Sequence, residues 1–244
     1  MAANTRQIQG LRLKALMVAV MTTLVIAYPV LAHWAVVSHS VAVTVASLAV
    51  LASLALVPRL AARSVVAWVL LPIVVIALAL LGRGNIAWLP LYATPVCVNL
   101  FGAWIFGHTL AAGQVPLIER LARLMHEPDG ISDEIARYAR NVTLAWTVFL
   151  FSLAMLNLTL ALLASPGGVL LMMGLQPPVT VSVETWSLFA NFLNYVLAGV
   201  FFLAEYIYRQ RKFPDQPYRN LIDFLQRARR VGPRVMGRAV KPNG

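Results

Sequence analysis

The chain is poor in charge and poorest in acids. Only 12% of its 244 residues are charged, and 20 Lys and Arg stand against 9 Asp and Glu. An average soluble domain carries about 25% charged and 45–50% apolar residues, whereas 60% of this chain is hydrophobic. That deficit excludes an ordinary soluble domain. There is one cysteine, Cys97, inside an apolar run, so neither an intrachain disulfide nor a cysteine-clustered metal site can form. None of the four histidines, His33, His39, His108 and His126, has a second ligand at a spacing such as HExxH, and no metal or cofactor is expected. Also missing are a glycine-rich phosphate loop, a GxSxG nucleophile and a pair of membrane-facing aspartates. Asp133 and Glu134 are adjacent and so point to different helix faces. These absences argue against an enzyme, although a lipid-modifying enzyme with scattered catalytic residues stays open.

What is present is a series of long apolar runs. Crossing about 30 Å of hydrocarbon takes about 20 helical residues, and six runs bounded by charge, proline or glycine approach that length: 15–34, 41–58, 65–82, 86–106, 142–164 and 185–207. The spacing predicts an all-α integral membrane protein of about six transmembrane helices, with residues 1–212 as one bundle and 213–244 as a basic tail. The first run follows a signal-like MAANTRQIQGLRLK but is too long for a signal-peptide core and lacks a small-x-small cleavage site, so it is read as a retained span. The second, VAVTVASLAVLASLALV, is only about 17 residues and rich in alanine and valine, and whether it crosses fully is left open.

Cations set the orientation, because Lys and Arg in short loops stay in the cytoplasm. Arg6, Arg12 and Lys14 precede the first run, Arg59 and Arg63 follow the second, and Arg120, Arg123, Arg137 and Arg140 lie between the fourth and fifth. Ten more follow the sixth; only Arg83 falls on the other side, so 19 of 20 agree with both termini on the cytoplasmic side. The net charge of +11 then suits anionic phospholipid. A nucleic-acid partner is not expected, since no binding fold is left once the runs are removed.

Two segments lie outside the runs. In 107–141, Pro116 is placed to start a helix and EPDG to end it. Leu117, Leu121, Leu124 and Met125 fall on one side of it, with Glu119, Arg120 and Arg123 on the other. This predicts an interfacial amphipathic helix. SDEI then offers a capped start to a helix that continues through Arg137 and Arg140 into the fifth run. In 213–244, Leu221, Phe224, Leu225 and Ala228 form a stripe beside Arg227, Arg229 and Arg230, which predicts a second surface helix that loosens beyond Gly232.

Within the sixth run, Ser187, Asn191, Asn194, Ala198, Phe201 and Glu205 succeed each other at three- and four-residue steps. A stripe with two amides is costly against lipid and should face other helices. Depth matching pairs Asn191 with Asn157 and Asn194 with Asn99, either as interhelical glue or as a ligand path; Pro90 and Pro95 are placed to interrupt the fourth run beside Asn99. Glu205 falls near the inner boundary, with Arg209 one turn on and Arg140, possibly with Arg137, at its level. It either marks that boundary or orients arginines toward a phosphate or carboxylate. Candidate ligand-binding residues are therefore Arg137, Arg140, Asn141, Asn191, Asn194, Glu205 and Arg209, with Asn99 and Asn157 as structural polar partners.

Across PLIERLAR, RYARNVTLAWTVF and WSLFANFLNYVLAGVFFLAEYIYR followed by RKFP, the chain resembles the polytopic bacterial inner-membrane proteins encoded beside ketosynthase and acyl-carrier genes in aryl-polyene and xanthomonadin-type pigment clusters. The resemblance covers roughly residues 115–215. It implies a role in making or moving a lipid-linked polyene, and no defined reaction. The expected function is a non-enzymatic membrane accessory that binds or hands over an acyl product or scaffolds its enzymes. A lipid flippase and a lipid-modifying enzyme are the alternatives. Anionic phospholipid, acyl-carrier or ketosynthase-type proteins and a second copy of the chain are the expected partners.

Overall fold

The computed structural model describes residues 2–83, 88–126, 130–214, 217–218 and 220–240, without the side chains of 2–15 and 233–240. The expected start of the fourth run at 86 and most of the EPDG stop lie outside the described residues. The helices are α1 (Ala2–Val37), α2 (Val41–Ala61), α3 (Val65–Leu81), α4 (Leu89–Gly107), α5 (Leu117–Met125), α6 (Asp133–Leu163), α7 (Val169–Met172), α8 (Val183–Leu188), α9 (Asn194–Lys212) and α10 (Leu221–Val240). A two-residue β1 (Ala164–Ser165) pairs in parallel with β2 (Val181–Ser182). A wide π-turn, Phe189–Leu193, joins α8 to α9, so that Val183–Lys212 forms one long apolar helix.

Among the described residues, five helices are long and apolar enough to cross a membrane: Leu16–Val37, Val41–Ala61, Leu89–Leu110, Asp133–Leu163 and Val183–Lys212. The second apolar run forms a 21-residue helix because it continues through Pro58 and Arg59, and α3 is the short one at 17 residues. Nearly every side chain of α3 is solvent-accessible apart from buried Ala67. Pro95 does not break α4, which stays helical from Leu89 to Gly107.

Contacts divide the chain into two compact units: Met1–Pro95 with Asn157–Asn194, and Val96–Leu156 with Tyr195–Gly244. The described tail residues fall in the second unit together with part of the apolar helices. In the first unit, Tyr28, Ala32, Ala35 and Val36 place one face of α1 in a core with Leu48, Leu91, Tyr92, Ala161 and Trp186. Small residues at three- and four-residue steps let helices approach closely. Trp186 is 1% exposed and lies 4.2 Å, ring to ring, from Tyr92.

In the second unit, Pro116 sits just before α5 and offers no capping side chain. The first N–H groups of that helix are instead taken by hydroxyls: Leu117 donates to Thr109 at 3.0 Å and Ile118 to Thr143 at 3.3 Å. Arg140 braces the same loop, its Nη2 donating to the Leu110 carbonyl at 3.2 Å. The apolar stripe of α5 is in part packed within the protein. Met125 packs with Tyr218 and Phe224, and Leu121 and Leu221 add to that cluster. Helix α10 runs past Gly232 to Val240. Of its stripe, Phe224 is buried and Leu221 and Ala228 pack beside it, while Leu225 and Ile222 are exposed.

Candidate functional site

The second unit contains two neighbouring polar features with different chemistry. One is a cage around Arg209. On α9, Glu205 and Arg209 are one turn apart, in the order that favours an acid before a base. Arg209 Nε lies 3.0 Å from Glu205 Oε1, and Nη2 is 3.4 Å from Oε2. Nη1 donates to the Tyr218 hydroxyl at 2.7 Å, and the guanidinium covers the Phe224 ring at 4.5 Å. Tyr138 on α6 donates to Glu205 Oε1 at 3.2 Å. Both charged side chains are mostly buried. A buried pair held by aromatic faces and hydroxyls is a clasp between helices. Burial raises the Tyr218 hydroxyl from its usual 10.0 to about 12, against the opposing pull of the Arg209 charge.

Beside the cage is a cavity of about 30 Å³ whose lining includes His126, Tyr138, Arg209 and Tyr218. His126 Nδ1 lies 2.8 Å from the Ala122 carbonyl. A carbonyl only accepts, so Nδ1 is the donor in this contact. Nε2 is buried with no protein partner. The volume is enough for a water.

The second feature is an open groove of about 530 Å³ lined by Glu134, Arg137, Tyr138 and Asn141 of α6 and Tyr208 and Lys212 of α9. Ser132 caps α6, its Oγ accepting from the Ile135 N–H at 3.3 Å, and the helix then carries Arg137 and Asn141 one turn apart on one face. Lys212 Nζ is 3.4 Å from Glu134 Oε1 and sits over the rings of Tyr138 at 5.6 Å and Phe213 at 5.3 Å. Lys212, Arg137 and Asn141 are all exposed. Among the described residues Arg137 has no hydrogen-bond or ion-pair partner, so its planar fork is open to a carboxylate or phosphate oxygen.

No family model, curated protein or solved structure matches this chain. The chemistry of the site therefore rests on its own residues. The structure sorts the expected ones into separate places. Arg137 and Asn141 share the groove, Glu205 and Arg209 share the cage, and Arg140 turns away to the Leu110 carbonyl. The expected Glu205–Arg140 neighbourhood is replaced by Glu205 with Tyr138 and Arg209.

In the first unit, Asn157 Nδ2 donates to Asn194 Oδ1 at 3.2 Å, one turn along from the expected partner Asn191. Asn191 instead donates to the Ser187 carbonyl and hydroxyl at 3.0 and 3.1 Å. The π-turn between them adds a residue that a straight 3.6-residue period does not count. His33 Nδ1 lies 3.0 Å from Ser187 Oγ, so the hydroxyl serves both an imidazole and an amide. Asn99 is buried in the second unit. Sequence reasoning missed Tyr138, Lys212 and Tyr218 as members of the site. Tyr138 falls one residue after Arg137 and four after Glu134, which was a usable signal; Tyr218 follows a proline-rich break and gave none. Among the described residues, no group of three or more His, Cys, Asp or Glu is placed to hold a metal ion.

Proposed function

We propose that this protein is a multi-pass inner-membrane accessory protein, with both termini cytoplasmic, that binds or hands over an acidic, lipid-like acyl product or scaffolds the enzymes that make it. The observation that carries this reading is the open groove in which Arg137, Asn141 and Lys212 line one opening at the ends of two long apolar helices. A guanidinium with no partner among the described residues, beside an ammonium, suits an anionic head, and the long apolar helices suit the chain attached to it. The exposed apolar side chains of α3 support six crossings. At 17 residues and 1.5 Å per residue, α3 spans about 25 Å, a shortfall that bilayer thinning and flanking Arg63 and Arg83 can absorb. On α10, exposed Ile222 and Leu225 beside Arg229 and Arg230 suit the headgroup layer.

The resemblance to pigment-cluster membrane proteins adds that the acyl product is a polyene and that acyl-carrier or ketosynthase-type proteins are partners. Mass spectrometry of lipid and protein retained through purification in mild detergent tests the reading. An acidic acyl ligand, alone or with an acyl-carrier partner, is the expected result. A preparation that is folded and yet retains neither overturns it.

A further inference from the structure

Past Asn141, the last α6 residue of the cationic groove, the same strip of the helix stays exposed. Arg137, Asn141, Leu144, Val148 and Phe151 succeed each other along α6 at steps of four, three, four and three residues, which keeps them on one helix face. Leu144, Val148 and Phe151 are exposed at 51%, 56% and 49%. Where this face reaches Val148 it enters a second groove, of about 440 Å³, walled by Leu100, Ala103 and Trp104 of α4 and Thr147, Val148 and Phe151 of α6. The Thr147 hydroxyl donates to the Thr143 carbonyl at 2.8 Å, and apart from the Trp104 indole N–H the other lining side chains are apolar. Charged and apolar grooves therefore occupy one face of one helix, in the same unit, in the order head then tail.

We infer that this face of α6 is a binding track for a singly charged anionic amphiphile, an inference that rests on the acyl-binding reading and gives it a ligand class and a pose. Charge selects the head. Arg137 and Lys212 contribute two positive charges and Glu134 one negative charge, leaving a net single positive charge, which complements a carboxylate or a phosphodiester better than a dianionic phosphomonoester. Glu134 lies 3.4 Å from the Lys212 ammonium, an exposed and therefore weak pair, so an arriving anion can compete for the lysine. Length fits the tail. From Asn141 to Phe151 the helix rises about 15 Å, the depth of one leaflet of a bilayer about 30 Å thick. The track thus accepts a chain that already lies in the inner leaflet and places its head at the water boundary.

The test uses the full chain in neutral phosphatidylcholine nanodiscs, with native mass spectrometry of adducts after titration with oleate, phosphatidylglycerol or neutral monoolein. Either anionic amphiphile should be retained in preference to monoolein, and whichever of oleate and phosphatidylglycerol is retained more strongly identifies the head as carboxylate or phosphodiester. Arg137→Ala with Lys212→Ala should reduce anionic retention by about tenfold or more, since hydrogen bonds to charged groups are lost, and leave monoolein unchanged. Val148→Trp, which fills the apolar groove from an exposed position, should reduce retention of all three, and Arg123→Ala, away from both grooves, should change none. If an acyl ligand co-purifies but its retention is indifferent to the groove variants, the track is wrong and the acyl-binding reading stands. If the wild-type protein retains neither anionic amphiphile above monoolein and no acyl ligand co-purifies, both fall.

Discussion

Arg209 is the residue on which the second unit turns. Its guanidinium meets an acid, a phenol and a phenyl face within one helical turn and a short connection. Removing one member of a buried pair leaves the other charge without compensation, at about 3–5 kcal/mol. Glu205→Gln is therefore expected to lower stability by about 3 kcal/mol, read as a drop in melting temperature in detergent. Adding Arg209→Met should restore much of the loss, because both charges are then gone. Tyr218 makes the cage pH-sensitive in one direction. Its folded form is held neutral, so its contribution is complete below pH 10 and is lost as the pH rises from 10 towards 12. Stability measured across that window should fall more steeply for the wild type than for Tyr218→Phe, and equal slopes would remove Tyr218 from the account. At this scale the sequence was half legible. The Glu205–Arg209 spacing is visible in any helix, but the phenol and phenyl come from a segment beyond a break whose return path no local pattern encodes.

Helices were easier to read than their partners. The SDEI cap and the continuous 31-residue α6 follow directly from sequence, because capping and hydrophobic run-on are local. The pairing of amides is not local. Asn157 meets Asn194 rather than Asn191 since the π-turn at Phe189–Leu193 changes the phase of the helix between them. In an apolar unit such a pair is worth about 0.6–2 kcal/mol. Asn157→Leu should lose stability on that order, and Asn157→Leu with Asn194→Leu should recover it in thermal unfolding. Recovery by an Asn157/Asn191 double variant instead would contradict the observed pairing. The amphipathic pattern of α5 was equally plain in sequence, yet its apolar face is in part packed against α10. Periodicity identifies which face is apolar; it does not say whether lipid or protein covers it.

For the molecule as a whole, composition alone pointed to a membrane-type, all-helical chain, and five long apolar helices agree with it. Its division into two contact units was invisible, because α4, α6 and the long Val183–Lys212 helix each contribute to both without any break in their apolar pattern. Orientation rests on the cations and is testable by cysteine labelling in a Cys97→Ala background. Positions need choosing with care: a side chain at Gly168 would meet the Ala164 backbone, and Gly130 has a φ of +79°. Exposed Gln114 and Gln176 are better sites. In intact cells an impermeant maleimide should label Gln176→Cys and not Gln114→Cys; the reverse pattern would invert the topology. The wide turn at Phe189–Leu193 also sets where the chain tolerates a change in length. Loss of one residue there closes the turn to an ordinary α-helical one and leaves both flanks facing as they do. The same loss between Ala198 and Phe201 would swing Glu205 and Arg209 by about 100°, away from Tyr138. Single-codon deletions should therefore be accepted in that five-residue window and rejected a few positions later.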